Sequence, residues 1–101
     1  MYAVVRRYTS PTDLGPEIER KRASLEETMR GIPGFVGYYL INGVTSVATI
    51  TVCNDRAGTE ESNRRAAEWV RQNLPNSGLS APEITEGNVA VGISQPQAAA
   101  R

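Results

Sequence analysis

The residues of this chain best suited to chemistry are cationic and aromatic. Arg6 and Arg7 are adjacent, Tyr8 follows them, Tyr38 and Tyr39 are adjacent, and Trp69 is the single tryptophan. A guanidinium binds and orients anions, a phenol hydrogen-bonds a quinone or phenolate, and an indole offers a flat wall with one N–H donor. The missing residue types are equally informative. The 101 residues contain no histidine, the commonest general base near neutral pH and the commonest metal ligand. Serine–histidine and cysteine–histidine nucleophilic catalysis are excluded within the chain, as are histidine-ligated haem and histidine-bearing zinc sites. The one cysteine, Cys53, allows no internal disulfide and argues against a cysteine metal cluster. No metal and no cofactor is expected, and no catalytic residue is assigned.

Each candidate has a plainer alternative. Arg6 and Arg7 fall on a strand, where consecutive side chains point to opposite faces. One of them approaches the helix layer and the other the opposite face, and the residues do not say which. Facing inward, an arginine would orient an anionic ligand; otherwise it reaches solvent or pairs with Glu83, Glu86 or a carboxylate of another subunit, because an unpaired buried charge is costly. Trp69 would stack on an aromatic ligand or anchor the core. Tyr8, Tyr38 and Tyr39 would hydrogen-bond a ligand, yet strands select tyrosine for packing. The candidate ligand-binding set is Arg6, Arg7, Tyr38, Tyr39 and Trp69. Asn42 is better explained by a turn, Asn73 by a helix end, Cys53 by a small buried hydrophobe, and Arg64-Arg65 by a solvated face.

The elements that must position these residues follow from periodicity. Tyr2–Thr9 (YAVVRRYT) reads as a strand stopped by Ser10-Pro11. Pro16–Arg30 reads as a helix entered through Asp13 or Gly15, with Leu14, Ile18, Leu25 and Met29 near one face, and ended by Gly31 and Pro33-Gly34. Phe35–Ile41 and Val44–Val52 form a hairpin around Asn42-Gly43, the preferred pair for a two-residue type I′ turn. That turn sets Ile41 opposite Val44. Phe35, Gly37 and Tyr39 then share a face with Ala48, Ile50 and Val52, and Val36, Tyr38 and Leu40 share the other with Val47, Thr49 and Thr51. Gly37 and Ala48 would leave room above the strands for a ligand. Both faces carry large apolar groups, so the sheet asks for a second cover besides its helices. Thr59 caps a second helix whose inward side holds Ser62, Ala66, Trp69, Val70, Asn73 and Leu74. Glu83–Ser94 is the last strand, with Val89, Val91 and Ile93 alternating. Residues 1–94 make one domain, and Gln95–Arg101 reads as a disordered tail.

Composition narrows the class. Eleven basic residues balance eleven acidic ones, so the chain has little electrostatic reach for a nucleic-acid backbone or an anionic membrane. No apolar run approaches the roughly 20 residues of a membrane span. The first residues lack a basic-then-apolar export pattern, which implies a cytoplasmic protein. Neither nucleic acid nor membrane is expected as a partner.

The order βαββαβ specifies an α+β, ferredoxin-like sandwich. With the Ile32-Pro33-Gly34-Phe35-Val36-Gly37-Tyr38-Tyr39 entry into the hairpin, Asn54-Asp55 after the second hairpin strand, and Glu60-Glu61-Ser62-Asn63 on the second helix, it resembles the dimeric α/β-barrel superfamily. Within it the chain is most similar to the small antibiotic-biosynthesis-monooxygenase-like proteins. The resemblance implies a homodimeric α/β barrel, which would supply the second cover. It also implies a small-molecule-binding protein, and a cofactor-independent monooxygenase acting on an electron-rich aromatic. The haem-degrading branch uses an asparagine, a tryptophan and a histidine; without a histidine, Trp69 alone does not place the chain there. The alternative is a non-catalytic dimeric ligand-binding or interaction domain. A cavity of roughly 300 Å³ with convergent polar groups favours the enzyme, and a filled core favours the alternative.

Overall fold

The computed structural model describes residues 1–95. The elements are β1 (Tyr2–Thr9), α1 (Gly15–Arg20), α2 (Arg22–Arg30), β2 (Phe35–Asn42), β3 (Ser46–Cys53), α3 (Arg56–Asn73) and β4 (Glu83–Asn88). The strands form one antiparallel sheet in the order β2-β3-β1-β4. This is the ferredoxin-like α+β arrangement, with β1 and β3 central. α3 packs across β1 and β3, and α2 lies against β2. The core between the layers is built from Leu14, Ile18, Leu25, Met29, Ile32, Cys53, Ala66, Trp69 and Leu74.

Four elements differ from their sequence reading. The first helix is two, broken at Lys21. No proline or glycine marks the break. Lys21 pairs locally with Glu17 and carries its ammonium to the backbone carbonyl of Asn73 at the end of α3, a tertiary contact that local propensity does not encode. The second helix starts at Arg56, earlier than Thr59. Asp55 caps it, its Oδ1 accepting from Gly58 N at 3.2 Å, while Thr59 is fully buried in the first turn.

The hairpin tip is longer than two residues. Ile41 pairs with Ala48 and Asn42 with Val47, leaving Gly43 to Thr45 between the strands, closed by Gly43 N donating to Ser46 O at 2.7 Å. Val44 sits at φ 75°, a left-handed conformation uncommon for a β-branched residue. Asn42 forms no two-residue turn, since it pairs with Val47 within the strand, and its Nδ2 donates to Asp13 Oδ1 at 3.0 Å, tying the tip to the entry of α1. The partner of Ile41 moves by four positions, from Val44 to Ala48, an even shift, so the faces keep their assignment. The exception is Phe35. A bulge between Phe35 and Gly37 sets Phe35 opposite Cys53, and it packs on the core side.

β4 stops at Asn88 rather than Ser94. Its neighbour is β1, and Asn88 already pairs with Tyr2 at that strand's beginning. Beyond it there is no strand to pair with, so Val91 and Ile93 are 76% and 91% exposed. The tail expected over Gln95–Arg101 lies outside the described residues from 96 onward.

The sheet has two unlike faces. Val4, Arg6, Tyr8, Val47, Thr49, Thr51 and Cys53 point toward the helices and are buried. Ala3, Val5, Ala48, Ile50 and Val52 face the other way and are half-buried, beside exposed Tyr39 and Ile41. That second face is apolar along its middle.

Candidate functional site

The helix-facing side of β1 carries Arg6, 1% exposed. Its guanidinium meets four neutral acceptors from two elements. Nε donates to Thr49 Oγ1 at 3.2 Å and Nη2 to Thr51 Oγ1 at 2.6 Å, both from β3. Nη1 donates to Ser62 Oγ at 3.2 Å and Asn63 Oδ1 at 2.6 Å, both from α3. Ser62 is free to accept because its own hydroxyl donates to Thr59 O. Among the described residues, no carboxylate lies within ion-pair distance of Arg6. Burial lowers its pKa, partly offset by Tyr8 and Tyr38, but an arginine stays protonated. The layer between sheet and helices thus holds a dry cation with hydrogen bonds and no counter-charge.

Two phenols stand beside it. Burial pushes Tyr38 up to about 12, against the opposing pull of Arg6. Burial also raises Tyr8, with Arg6 opposing. Both are neutral donors at ordinary pH. With Thr49, Leu14, Leu79 and Trp69 they line a cavity, to which they present an almost wholly apolar surface, and Arg6 is not among its walls. Its volume is about 30 Å³, room for about one water. Trp69 is 5% exposed, and its indole Nε1 donates to Ser24 Oγ of α2 at 3.1 Å. The ring forms a wall and its N–H is already committed.

A second, larger space opens where α2 leans on β2. This groove has a volume of about 580 Å³ and is floored by Phe35, Gly37 and Leu40. Its rim charges neutralise one another, Arg22 with Glu19 at 3.5 Å and Arg30 with Glu26 at 2.8 Å.

The structure gathers Arg6, Tyr38 and Trp69 on the helix side of the sheet. It places Arg7 on the opposite face, exposed and 3.5 Å from Glu83. Tyr39 also leaves that opposite face, 63% exposed, and borders the groove. Gly37 and Ala48 face away from the helices as well, paired with Val52 and Ile41, so they make no room in the cavity. Sequence reasoning missed Thr49, Thr51, Ser62 and Asn63 as a set. Two threonines on the inward side of β3 and a Ser-Asn pair on the inward side of α3 were the signal: polar side chains at buried positions need a partner, and Arg6 is that partner. Among the described residues, no cluster of three or more histidine, cysteine, aspartate or glutamate side chains is arranged to hold a metal ion.

No family model and no curated protein matches the sequence. Solved structures match over nearly its whole length. A monooxygenase from the gene ActVA-Orf6 of Streptomyces coelicolor, in complex with nanaomycin D, superposes with a TM-score of 0.71 at 16% identity, covering 94% of this chain and 92% of that one. SnoaB, a cofactor-independent oxygenase from Streptomyces nogalater, gives 0.64 at 20% identity over 93% and 97%. A dimeric ferredoxin-like protein from an uncultured marine organism gives 0.61 at 11% identity over 94% and 100%. At these identities the likeness is one of fold. The chain has the ferredoxin-like fold found in antibiotic-biosynthesis-monooxygenase-like proteins.

Proposed function

We propose that this protein binds a small, flat, electron-rich aromatic carrying a phenolic or anionic oxygen, in the layer between α3 and the sheet. The observation that carries the reading is the buried Arg6 without a counter-charge, flanked by Tyr8 and Tyr38. An isolated buried cation is stabilised by any negative charge that develops nearby, and the low local dielectric magnifies the effect. Tyr8 and Tyr38 would hydrogen-bond the ligand oxygen, and the face of Trp69 would hold its ring.

The reaction consistent with this chemistry is cofactor-independent oxygenation. There the substrate supplies the electrons to oxygen, and the protein binds, orients and favours the phenolate. The two oxygenases that share the fold support this, although they share no more than 20% identity with the chain. The reading includes a cytoplasmic homodimer, with the apolar sheet face covered by a second copy. Oxygen consumption and thermal shift with a panel of naphthols and hydroxyquinones test it. Expected are a rise in Tm and oxygen uptake with at least one member, both lost in Arg6→Met. Silence of the wild type across the panel would overturn the oxygenase reading.

A second reading has its own observation. The cavity holds about 30 Å³ and Trp69 is tied to Ser24, as in a filled core. On that reading the chain is a non-catalytic dimeric domain, and the panel gives neither a Tm rise nor oxygen uptake.

A further inference from the structure

We infer that the groove between α2 and β2 is the vestibule of the small cavity, and that Met29 is the side chain whose displacement joins them. The inference rests on the proposed ligand site between α3 and the sheet. Five side chains, those of Ile18, Leu25, Met29, Tyr38 and Leu40, line both spaces. The partition is therefore one side chain thick. On one side it faces Trp69 and Tyr8, and on the other an open groove of about 580 Å³, a volume within the range of small-molecule sites, roughly 300–1,000 Å³.

The five are not equally able to move. Tyr38 and Leu40 belong to β2 and are held in register against Thr51 and Thr49. Ile18 is β-branched and stiff at χ1. Leu25 branches at Cγ and lies mid-helix in α2. Met29 is unbranched, with three rotatable bonds and a polarizable thioether. It sits in the last turn of α2, two residues before the Gly31 cap, and is 1% exposed, so the whole side chain lies inside the partition. On this inference its rotation would open the way through, leaving the backbone in place. The mutually paired rim charges, Glu19 with Arg22 and Glu26 with Arg30, give the vestibule no net attraction for an ion. Its occupant is an apolar aromatic body, whose single oxygen then meets Tyr8, Tyr38 and the field of Arg6.

Stopped-flow quenching of Trp69 emission by 2-naphthol, a neutral phenol whose near-ultraviolet absorption overlaps tryptophan emission, tests this, because the chain has no other tryptophan. Met29→Leu keeps the volume but adds a branch, and Met29→Ala removes the side chain. Expected is association about tenfold faster in Met29→Ala and several-fold slower in Met29→Leu, as for a gate whose opening limits entry. Wild type and both variants quench to the same final extent. Association rates within twofold of each other, with quenching present, would overturn the gate and leave the ligand site standing. Absence of quenching in wild type and Met29→Ala alike would overturn both. A packing role alone would lower Tm in Met29→Ala and leave the rates together. Should Met29→Ala not fold, the slower rate in Met29→Leu decides.

Discussion

At the scale of single residues, Trp69 and Arg6 show how much a side chain's role depends on what it touches. The indole of Trp69 is both a cavity wall and a tie to α2 through Ser24. Trp69→Ala is expected to lose about 3–5 kcal/mol, the usual range for truncating a buried aromatic. Ser24→Ala, which removes only the acceptor, should lose about 1 kcal/mol. Urea denaturation of both variants, followed by far-ultraviolet circular dichroism, checks the two figures. Tyr38 gives a pH prediction. Its folded-state pKa is raised to about 12 from 10.0, so the folded protein holds a proton that the unfolded chain releases. The stabilisation this contributes is complete below pH 10 and is lost as pH rises toward 12. Tyr38→Phe should flatten the alkaline limb of a Tm-against-pH profile; an unchanged limb would assign it to another group. The pair Arg6-Arg7 was legible as one inward and one outward arginine, because strand alternation requires it. Which was which depends on where the helices lie, and that is settled by α3 packing over β1 and β3 and meeting Arg6.

At the scale of elements, what could be read locally was right in kind, and it failed where a distant group intervened. The inward faces of the helices were correct because 3.6-residue spacing is a local property: Leu14, Ile18, Leu25, Met29, Ala66, Trp69 and Leu74 are all buried. The break at Lys21 was invisible locally: no proline or glycine marks it, and the partner Lys21 finds at the end of α3 is 52 residues away. The hairpin failed similarly. Asn42-Gly43 has the composition of a tight turn, but Asn42 pairs with Val47 inside the strand and its amide ties to Asp13. Asn42→Ala is expected to lose about 0.5–1.5 kcal/mol through that tie and to raise amide hydrogen exchange at Gly15, whose N–H donates to the same Asp13 oxygen. α3 makes an acid prediction. Glu61 is held at about 2, first by its hydrogen bonds from Arg64 and Arg65. Its contribution is present above the ordinary carboxylate value of 4.5 and fades as pH falls toward 2. Glu61→Gln should therefore narrow its stability gap to wild type in acid, measured by thermal melts from pH 6 downward.

At the scale of the whole molecule, the sheet's outer face is the largest unspent feature. Ile50 and Val52 lie along its middle, with Tyr39 and Ile41 exposed beside them. Contiguous apolar surface of this kind marks an interaction site. Wild type is expected to sediment as a dimer at micromolar concentration and Ile50→Glu as a monomer with unchanged helical content; monomeric wild type would leave the face without its proposed cover. The same layout has a consequence for how the chain folds. β1 comes first along the sequence, yet it pairs with β3, 37 to 51 residues on, and with β4, 76 to 86 residues on. Such separations make loop closure costly and slow the search. The β2–β3 hairpin and α3 are local and can form early, whereas β1 has no edge to join until β3 exists and no second neighbour until Asn88 has emerged from the ribosome. Arg6 sits on that strand, so its guanidinium cannot reach its hydroxyl and amide partners until β1 docks. During synthesis the cation stays in water, and its burial coincides with closure of the sheet. A chain halted before Glu83 would leave β1 with one bare edge, a template for pairing with another chain.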